Sequence, residues 1–293
     1  MVLNESLGVY NHISVRRNAS ALGAEIEGVQ ISDALKDDQI FDEIIQAFQN
    51  HQVIFFRGQK LTPEDHMAFG ERFGELEEHP FVSPLAGYPK IMRVVKEPED
   101  DLNFGNLWHT DMSFREHPAM ATILYARQTP ALGGDTMFAN QYMAYDALSG
   151  GMKSLLDGLS AVHSAAQQFG LSGRSAEEQG GHESMDIRVT EDAHSEIVHP
   201  VVRTHPGTGR KALYVNSAFT ERFDGMTPDE SQPLLEFLYA HSVRPEFTCR
   251  FQWTDDAVVF WDNRCVQHYA LNDYPGERRD MHRVMIIGDR PTR

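Results

Sequence analysis

Apolar and polar positions along the chain predict many short strands and a few inserted helices. Residues 12–17 and 24–30 alternate as short strands do, with Gly23 and Gly28 marking turns. From Asp37 to Gln49 the apolar residues Ile40, Ile44, Ile45, Ala47 and Phe48 recur at helical spacing. Gln52-Val53-Ile54-Phe55-Phe56 reads as a buried strand ended by Gly58. Thr62-Pro63-Glu64-Asp65 opens a helix running to about Phe73: a capping hydroxyl, a proline at the first position and an acid three residues after the cap. Thr227-Pro228-Asp229-Glu230 repeats the arrangement and predicts a helix to about His241. Further strands are expected at Ile91–Val95, Met120–Arg127, Val198–Arg203, Lys211–Val215, Phe247–Trp253, Val258–Trp261 and Arg283–Ile287, and helices at 140–148 and 151–158. Residues 165–197 are polar, Gly-rich and acidic, the composition of an active-site lid or of a surface insertion. There is no internal repeat and no linker, so residues 1–293 are expected to form a single domain, a β-sandwich or jelly roll with peripheral helices.

Composition narrows the partners. The 293 residues are 41% hydrophobic and 24% charged, which is globular. A net charge of −17 argues against nucleic acid and against an anionic membrane surface, both of which need a basic face. A small anionic substrate needs only one or two local arginines. Two cysteines, Cys249 and Cys265, imply no disulfide framework, and the N-terminus lacks a secretory pattern, so a cytoplasmic protein is expected.

The candidate chemistry centres on Trp108-His109-Thr110-Asp111. On an extended segment His109 and Asp111 point to one face, where an imidazole and a carboxylate can share a metal ion. A third ligand is needed, and His268 is the best candidate. Two histidines and a carboxylate are the facial set of non-haem Fe(II) oxygenases, with positions left open. Taken alone, an H-x-D triplet is more often a strand-end histidine hydrogen-bonded to a carboxylate.

His109-Thr110-Asp111, the turn Gly133-Gly134-Asp135-Thr136, and the stretch from Trp261-Asp262-Asn263-Arg264 to Arg283 come in an order that resembles the taurine dioxygenase and 2,4-D dioxygenase (TauD/TfdA) family. Phe73-Gly74-Glu75-Leu76, the stretch His199 to Pro206, and Val215-Asn216 match as well, so the resemblance runs from about residue 20 to 290. It implies a double-stranded β-helix (jelly-roll) core and an Fe(II)/2-oxoglutarate-dependent dioxygenase that consumes O2 and releases succinate and CO2. Position by position it makes His109, Asp111 and His268 the metal ligands. Arg279, a planar two-pronged donor, would hold the far carboxylate of 2-oxoglutarate with the Thr136 hydroxyl. Arg278 would point to the opposite face. Arg283 and His79 would hold an anionic group of the substrate. His199, His205 and His282 are expected in the core or behind the ligands. Family members are commonly dimers or tetramers, so a homo-oligomer is expected.

Two departures bear on substrate. Val82 stands where the taurine enzyme has a substrate-contacting Tyr, and Gly105 where it has an Asn, with Asn106 adjacent. Both remove polar contacts, which disfavours taurine and points to a bulkier or more apolar organic anion, with Phe114, Phe169 and Phe219 as candidate walls. Such a substrate is a sulfonate or carboxylate, with C–X cleavage where the hydroxylated carbon bears a heteroatom, or alternatively an aryloxyalkanoate or alkyl sulfate. Two other classes compete: a hydrolase using Cys265 with His268, disfavoured because strand alternation sends them to opposite faces, and a jelly-roll binding module without catalysis.

Overall fold

Side chains of the central strands sort onto two faces, and this sorting sets the architecture. The computed structural model describes residues 9–173 and 184–293. Its large sheet runs, edge to edge, β1 (Ser14–Arg17), β2 (Ala24–Glu27), β3 (Val53–Phe56), β15 (Val258–Asp262), β7 (Ala119–Gln128), β17 (Arg279–Ile287), β6 (Tyr88–Lys96) and β5 (Pro84–Leu85), with β4 (Leu76–Glu77) also on β17. A smaller sheet is β14 (Thr248–Phe251), β8 (Thr136–Asn140) and β16 (Val266–Ala270). Phe55, Val259 and Leu124 lie in register and join the smaller sheet's Phe138, Phe251 and Val266 in one core. Phe55 stacks on Phe251, with ring centroids 4.4 Å apart. Their neighbours Ile54, Phe56 and Phe260 face the other way, where helices α2 (Asp38–His51) and α3 (Pro63–Glu71) supply Phe41, Ile44, Phe48 and Phe69. This is the sheet-on-sheet core with outer helices expected of a jelly roll.

The remaining described elements form a third cluster. Strands β10 (Glu196–Pro200), β9 (Ser160–Ser164) and β13 (Thr220–Phe223) make one small sheet, and β11 (Val202–Thr204) pairs with β12 (Lys211–Leu213). Helices α4 (Gln141–Asp146), α5 (Gly150–Leu156) and α7 (Pro228–Ser242) cover them, while α6 (Ala166–Phe169) and the short α1 (Ile31–Ala34) lie elsewhere.

Both predicted caps form: Thr62 and Thr227 each accept from the backbone three residues on, and Asp65 and Glu230 reach back. The boundaries differ where local geometry overrides the apolar pattern. Helix α2 runs on to His51, and Gln52, expected in the strand, is its left-handed cap at φ 62°. The strand expected at 24–30 ends at Glu27 because Gly28 turns the chain at φ +82°. Strand β17 begins at Arg279, four residues earlier than expected, and β9, β13 and β16 were not anticipated. Of the segment 165–197, residues 174–183 lie outside the described residues. The rest forms α6, a turn of 3-10 helix at Glu191–His194 and the first residues of β10.

Candidate metal centre and its two cavities

His109 and His268 are brought together by the backbone. The His109 N–H donates to the His268 carbonyl at 3.1 Å and the His268 N–H returns to His109 at 2.9 Å. This bridge hooks the loop before Asp111 onto β16, and directly opposed residues project to one face. The ring centroids lie 4.0 Å apart. Asp111 Oδ1 sits 3.4 Å from His109 Nε2 and 3.5 Å from His268 Nε2. Neighbouring ligands at roughly 2.1 Å from one ion stand about 3 Å apart, so the three buried atoms fit a facial metal set.

Asp111 and His109 are held from behind, whereas His268 Nδ1 has no partner among the described residues. Asp111 Oδ2 accepts from the Thr122 hydroxyl at 2.6 Å, leaving Oδ1 to face the rings. Asn263 Nδ2 donates to that hydroxyl at 2.9 Å, and Asn263 Oδ1 accepts from Trp261 Nε1 at 3.0 Å and from the Asp111 N–H at 3.3 Å. Asn263, in the turn directly after β15, thus orients Asp111 on a distant loop. His109 Nδ1 lies 2.7 Å from the Leu107 carbonyl, so it carries the proton and Nε2 offers its lone pair. Met112, directly after Asp111, takes a left-handed φ of 57°, the strain that accompanies the turn.

The charges suit a cation. Burial and then His109 hold His268 well below the usual histidine range, so it is neutral. Burial pushes Asp111 up, but Arg283 and the two histidines outweigh it, and the carboxyl is ionised. Arg283 Nη2 is in contact with Asp111 Oδ1 itself.

A second cluster of ligand-type residues, His205, Asp262 and Cys265, does not fit a metal. His205 Nδ1 accepts N–H groups from Gly207 (3.1 Å) and Thr208 (3.2 Å), so Nε2 is the protonated nitrogen and donates to Asp262 Oδ2 at 3.0 Å. Arg264 takes both Asp262 oxygens. Burial, then Asp262, pushes the Cys265 thiol far up, which removes the thiolate a hydrolase would need.

Two cavities meet at the triad and share Phe104, Gly105, His109 and Arg283. One, the smaller, reaches from His268 to Thr136 and Arg279. Thr136 Oγ1 accepts from Trp253 Nε1 at 2.9 Å, which turns its own hydrogen elsewhere. Arg279 is 3% exposed, and its Nε and Nη2 have no partner among the described residues. Arg278 points to the other face as alternation requires, onto Glu97 and Asp280.

The other, larger cavity is lined by Arg283, His79, Asn106, Phe114, Phe169 and Phe219, among others. His79 Nδ1 accepts the Phe81 N–H at 3.2 Å, so its proton is on Nε2. Burial, then Arg283, lowers His79 to about 3 against the pull of Asp111, which makes it a neutral donor. Gly105 stands at φ +84°, and a Cβ there would lie 3.4 Å from His109 Cε1. Val82, expected at the substrate, bridges Ile187, is buried in the core beside the phenylalanine walls and lines neither cavity. The motif reading missed Trp253, Thr122 and Phe104. Their only signal was aromatic or hydroxyl character beside a predicted strand or motif.

Comparison with known proteins agrees with this geometry. The family model described as taurine catabolism dioxygenase TauD, TfdA family matches residues 14–285. An alpha-ketoglutarate-dependent sulfate ester dioxygenase of Pseudomonas putida is 35% identical over 281 residues, covering 96% of this chain and 91% of that protein. An alkylsulfatase of Acinetobacter baylyi is 34% identical, covering 96% and 86%. The crystal structure of a taurine dioxygenase from Burkholderia xenovorans superposes with a TM-score of 0.78 at 33% identity, covering 96% and 91%. The chain belongs to the TauD/TfdA family and, with it, to the Fe(II)- and 2-oxoglutarate-dependent dioxygenases.

Proposed function

We propose that this dioxygenase oxidises a small organic monoanion with an alkyl or aryl body, a sulfate ester or sulfonate in the first instance. The observation that carries the reading is the larger cavity. It opens on the triad and sets one cation, Arg283, and one neutral donor, His79, against the aromatic walls Phe104, Phe114, Phe169 and Phe219. Relatives named for sulfate esters support the headgroup. An aryloxyalkanoate is the second reading, supported by a 2,4-dichlorophenoxyacetate dioxygenase of Cupriavidus pinatubonensis at 32% identity.

In this reading His109, Asp111 and His268 hold Fe(II), which when bound with 2-oxoglutarate supplies the oxidising power. Thr136 and Arg279 hold the far carboxylate of the cosubstrate. Arg283 and His79 fix the substrate headgroup, so the carbon beside it faces the triad. Gly105 keeps the shared wall thin, Asn106 adds a polar edge, and the phenylalanines exclude water. Hydroxylation of a carbon bearing sulfate or ether oxygen gives a product that breaks down to an aldehyde or ketone and the free anion. No helix among the described residues is long and apolar enough to cross a membrane. A cytoplasmic homo-oligomer acting on a small anion completes the reading, and light scattering tests the assembly.

The test is succinate release with Fe(II) and 2-oxoglutarate across alkyl sulfates, alkyl sulfonates, aryloxyalkanoates and taurine, with His109→Ala as control. Stimulation by alkyl sulfates or apolar sulfonates, absent in the control, is expected. Stimulation by taurine alone would overturn the proposal.

A further inference from the structure

We propose that Lys96 is a second cation for the far carboxylate of 2-oxoglutarate, alongside Arg279; this rests on the cosubstrate assignment above. In the β6–β17 ladder Lys96 lies directly across from Arg279, so both side chains leave the sheet on the same face. That face is the inner one: Val94, two residues before Lys96, lines the smaller cavity with Arg279. Lys96 and Arg279 are each 3% exposed. Among the described residues, Lys96 Nζ has no hydrogen-bond partner, and neither do Arg279 Nε and Nη2.

The outer face of the same ladder is built differently. There Arg93 and Arg278 both reach Asp280 at 2.7 Å, and Arg278 also takes Glu97 at 2.9 Å. Every cation facing out at this end has a carboxylate, and the two facing in make no ion pair among the described residues. Like charges opposite one another in a ladder repel, and a buried cation without a counter-ion is costly. A carboxylate held at Arg279 would relieve both, with Lys96, which does not itself line the cavity, turning its ammonium from the Tyr274 ring toward it. Tyr274 completes the corner: its ring lies 5.0 Å from the ammonium, and its hydroxyl also has no partner among the described residues. Lys96 is a binding residue here, and a purely structural role, resting on the Tyr274 ring alone, makes a different prediction.

The experiment is calorimetric binding to the Mn(II)-loaded full chain, with 2-oxoglutarate, its isostere N-oxalylglycine, and pyruvate, which keeps the chelating keto acid and lacks the far carboxylate. Lys96→Met is expected to weaken 2-oxoglutarate and N-oxalylglycine by about tenfold or more, the worth of one charge-assisted hydrogen bond. Pyruvate and Mn(II) affinities should stay unchanged. Lys96→Gln, which keeps length and a polar end, replaces Lys96→Met if that variant does not fold. Unchanged 2-oxoglutarate affinity, or equal weakening of pyruvate, would overturn the role of Lys96 alone. A wild type that binds neither 2-oxoglutarate nor N-oxalylglycine would overturn the cosubstrate assignment first.

Discussion

Arg283 and a ring-facing metal set share one oxygen: its Nη2 contacts Asp111 Oδ1, the atom that lies within 3.5 Å of both histidines. A cation at the triad therefore competes with the guanidinium for Asp111. Arg283 also lines the larger cavity, so displaced from Asp111 it stays beside an incoming anion. On the proposed reading, metal loading and anion binding would be coupled through this one side chain.

Arg283→Gln should accordingly act in two directions. Removing one partner of a buried pair costs about 3–5 kcal/mol, so the metal-free variant melts earlier. The stranded Asp111 then has no competitor for a cation. Mn(II) should raise the melting temperature of Arg283→Gln more than that of wild type, while KM for the anionic substrate rises by about tenfold or more. A thermal titration with Mn(II) reads the first effect and steady-state kinetics the second. Equal Mn(II) shifts in both proteins would show that the pair does not limit metal entry.

Thr122 is the hinge of the network behind Asp111, accepting from Asn263 and donating to Oδ2. Thr122→Val keeps the shape and deletes the hydroxyl. Metal affinity should fall by roughly ten- to a hundredfold, the usual loss when a group behind a ligand is removed. At saturating Fe(II) the turnover should largely return, because the ligands themselves remain. Competition with a metallochromic chelator measures the affinity.

Trp253 fixes the Thr136 hydroxyl by donating to its oxygen at 2.9 Å, and Arg279 lies over the same indole at 5.6 Å. Trp253→Phe keeps an aromatic floor but frees the hydroxyl to rotate. KM for 2-oxoglutarate should rise several-fold, about 1 kcal/mol for one oriented hydrogen bond, with KM for the anionic substrate unchanged. A rise in both constants would assign Trp253 to general packing instead.

These groups show what the sequence discloses and what it conceals. The caps at Thr62 and Thr227 were legible because a cap is satisfied within four residues. His109, Asp111, His268 and Arg279 were legible through a family pattern, since the triad joins segments far apart in the chain. Thr122 and Asn263 are 141 positions apart, and Trp253 and Thr136 are 117 apart, so no local spacing announces either pair. Strand β16 escaped for a related reason. Val266-Gln267-His268-Tyr269-Ala270 is buried on both faces by partners from other segments, Gln267 donating to the Val215 carbonyl at 2.8 Å, and its polar residues masked the strand. For Val82, alignment to a substrate-contacting position carries no information about the Ile187 bridge that buries it in the core.

Glu43 offers a prediction about stability away from the site. It lies on α2 and accepts the backbone N–H groups of Asn11 (2.7 Å), His12 (2.9 Å) and Ile13 (3.1 Å), tying the start of the described chain to that helix. Burial pushes its carboxyl up, but these three donors and the His12 ring outweigh it and bring it down to about 2. A carboxyl held lower in the folded state than in the unfolded chain stabilises above the unfolded value near 4.3. That stabilisation is lost as pH falls from there through about 2. Glu43→Gln should therefore destabilise the protein by about 2 kcal/mol at pH 7, the worth of hydrogen bonds to a charged acceptor. Urea melts at stepped pH measure the gap between variant and wild type. It should be constant from pH 7 to about 5 and narrow progressively below the unfolded carboxyl pKa near 4.3. Succinate release at pH 7 should match wild type, since Glu43 touches neither cavity. A gap that stays constant down to pH 3 would assign the loss to shape, not to the charge on Glu43.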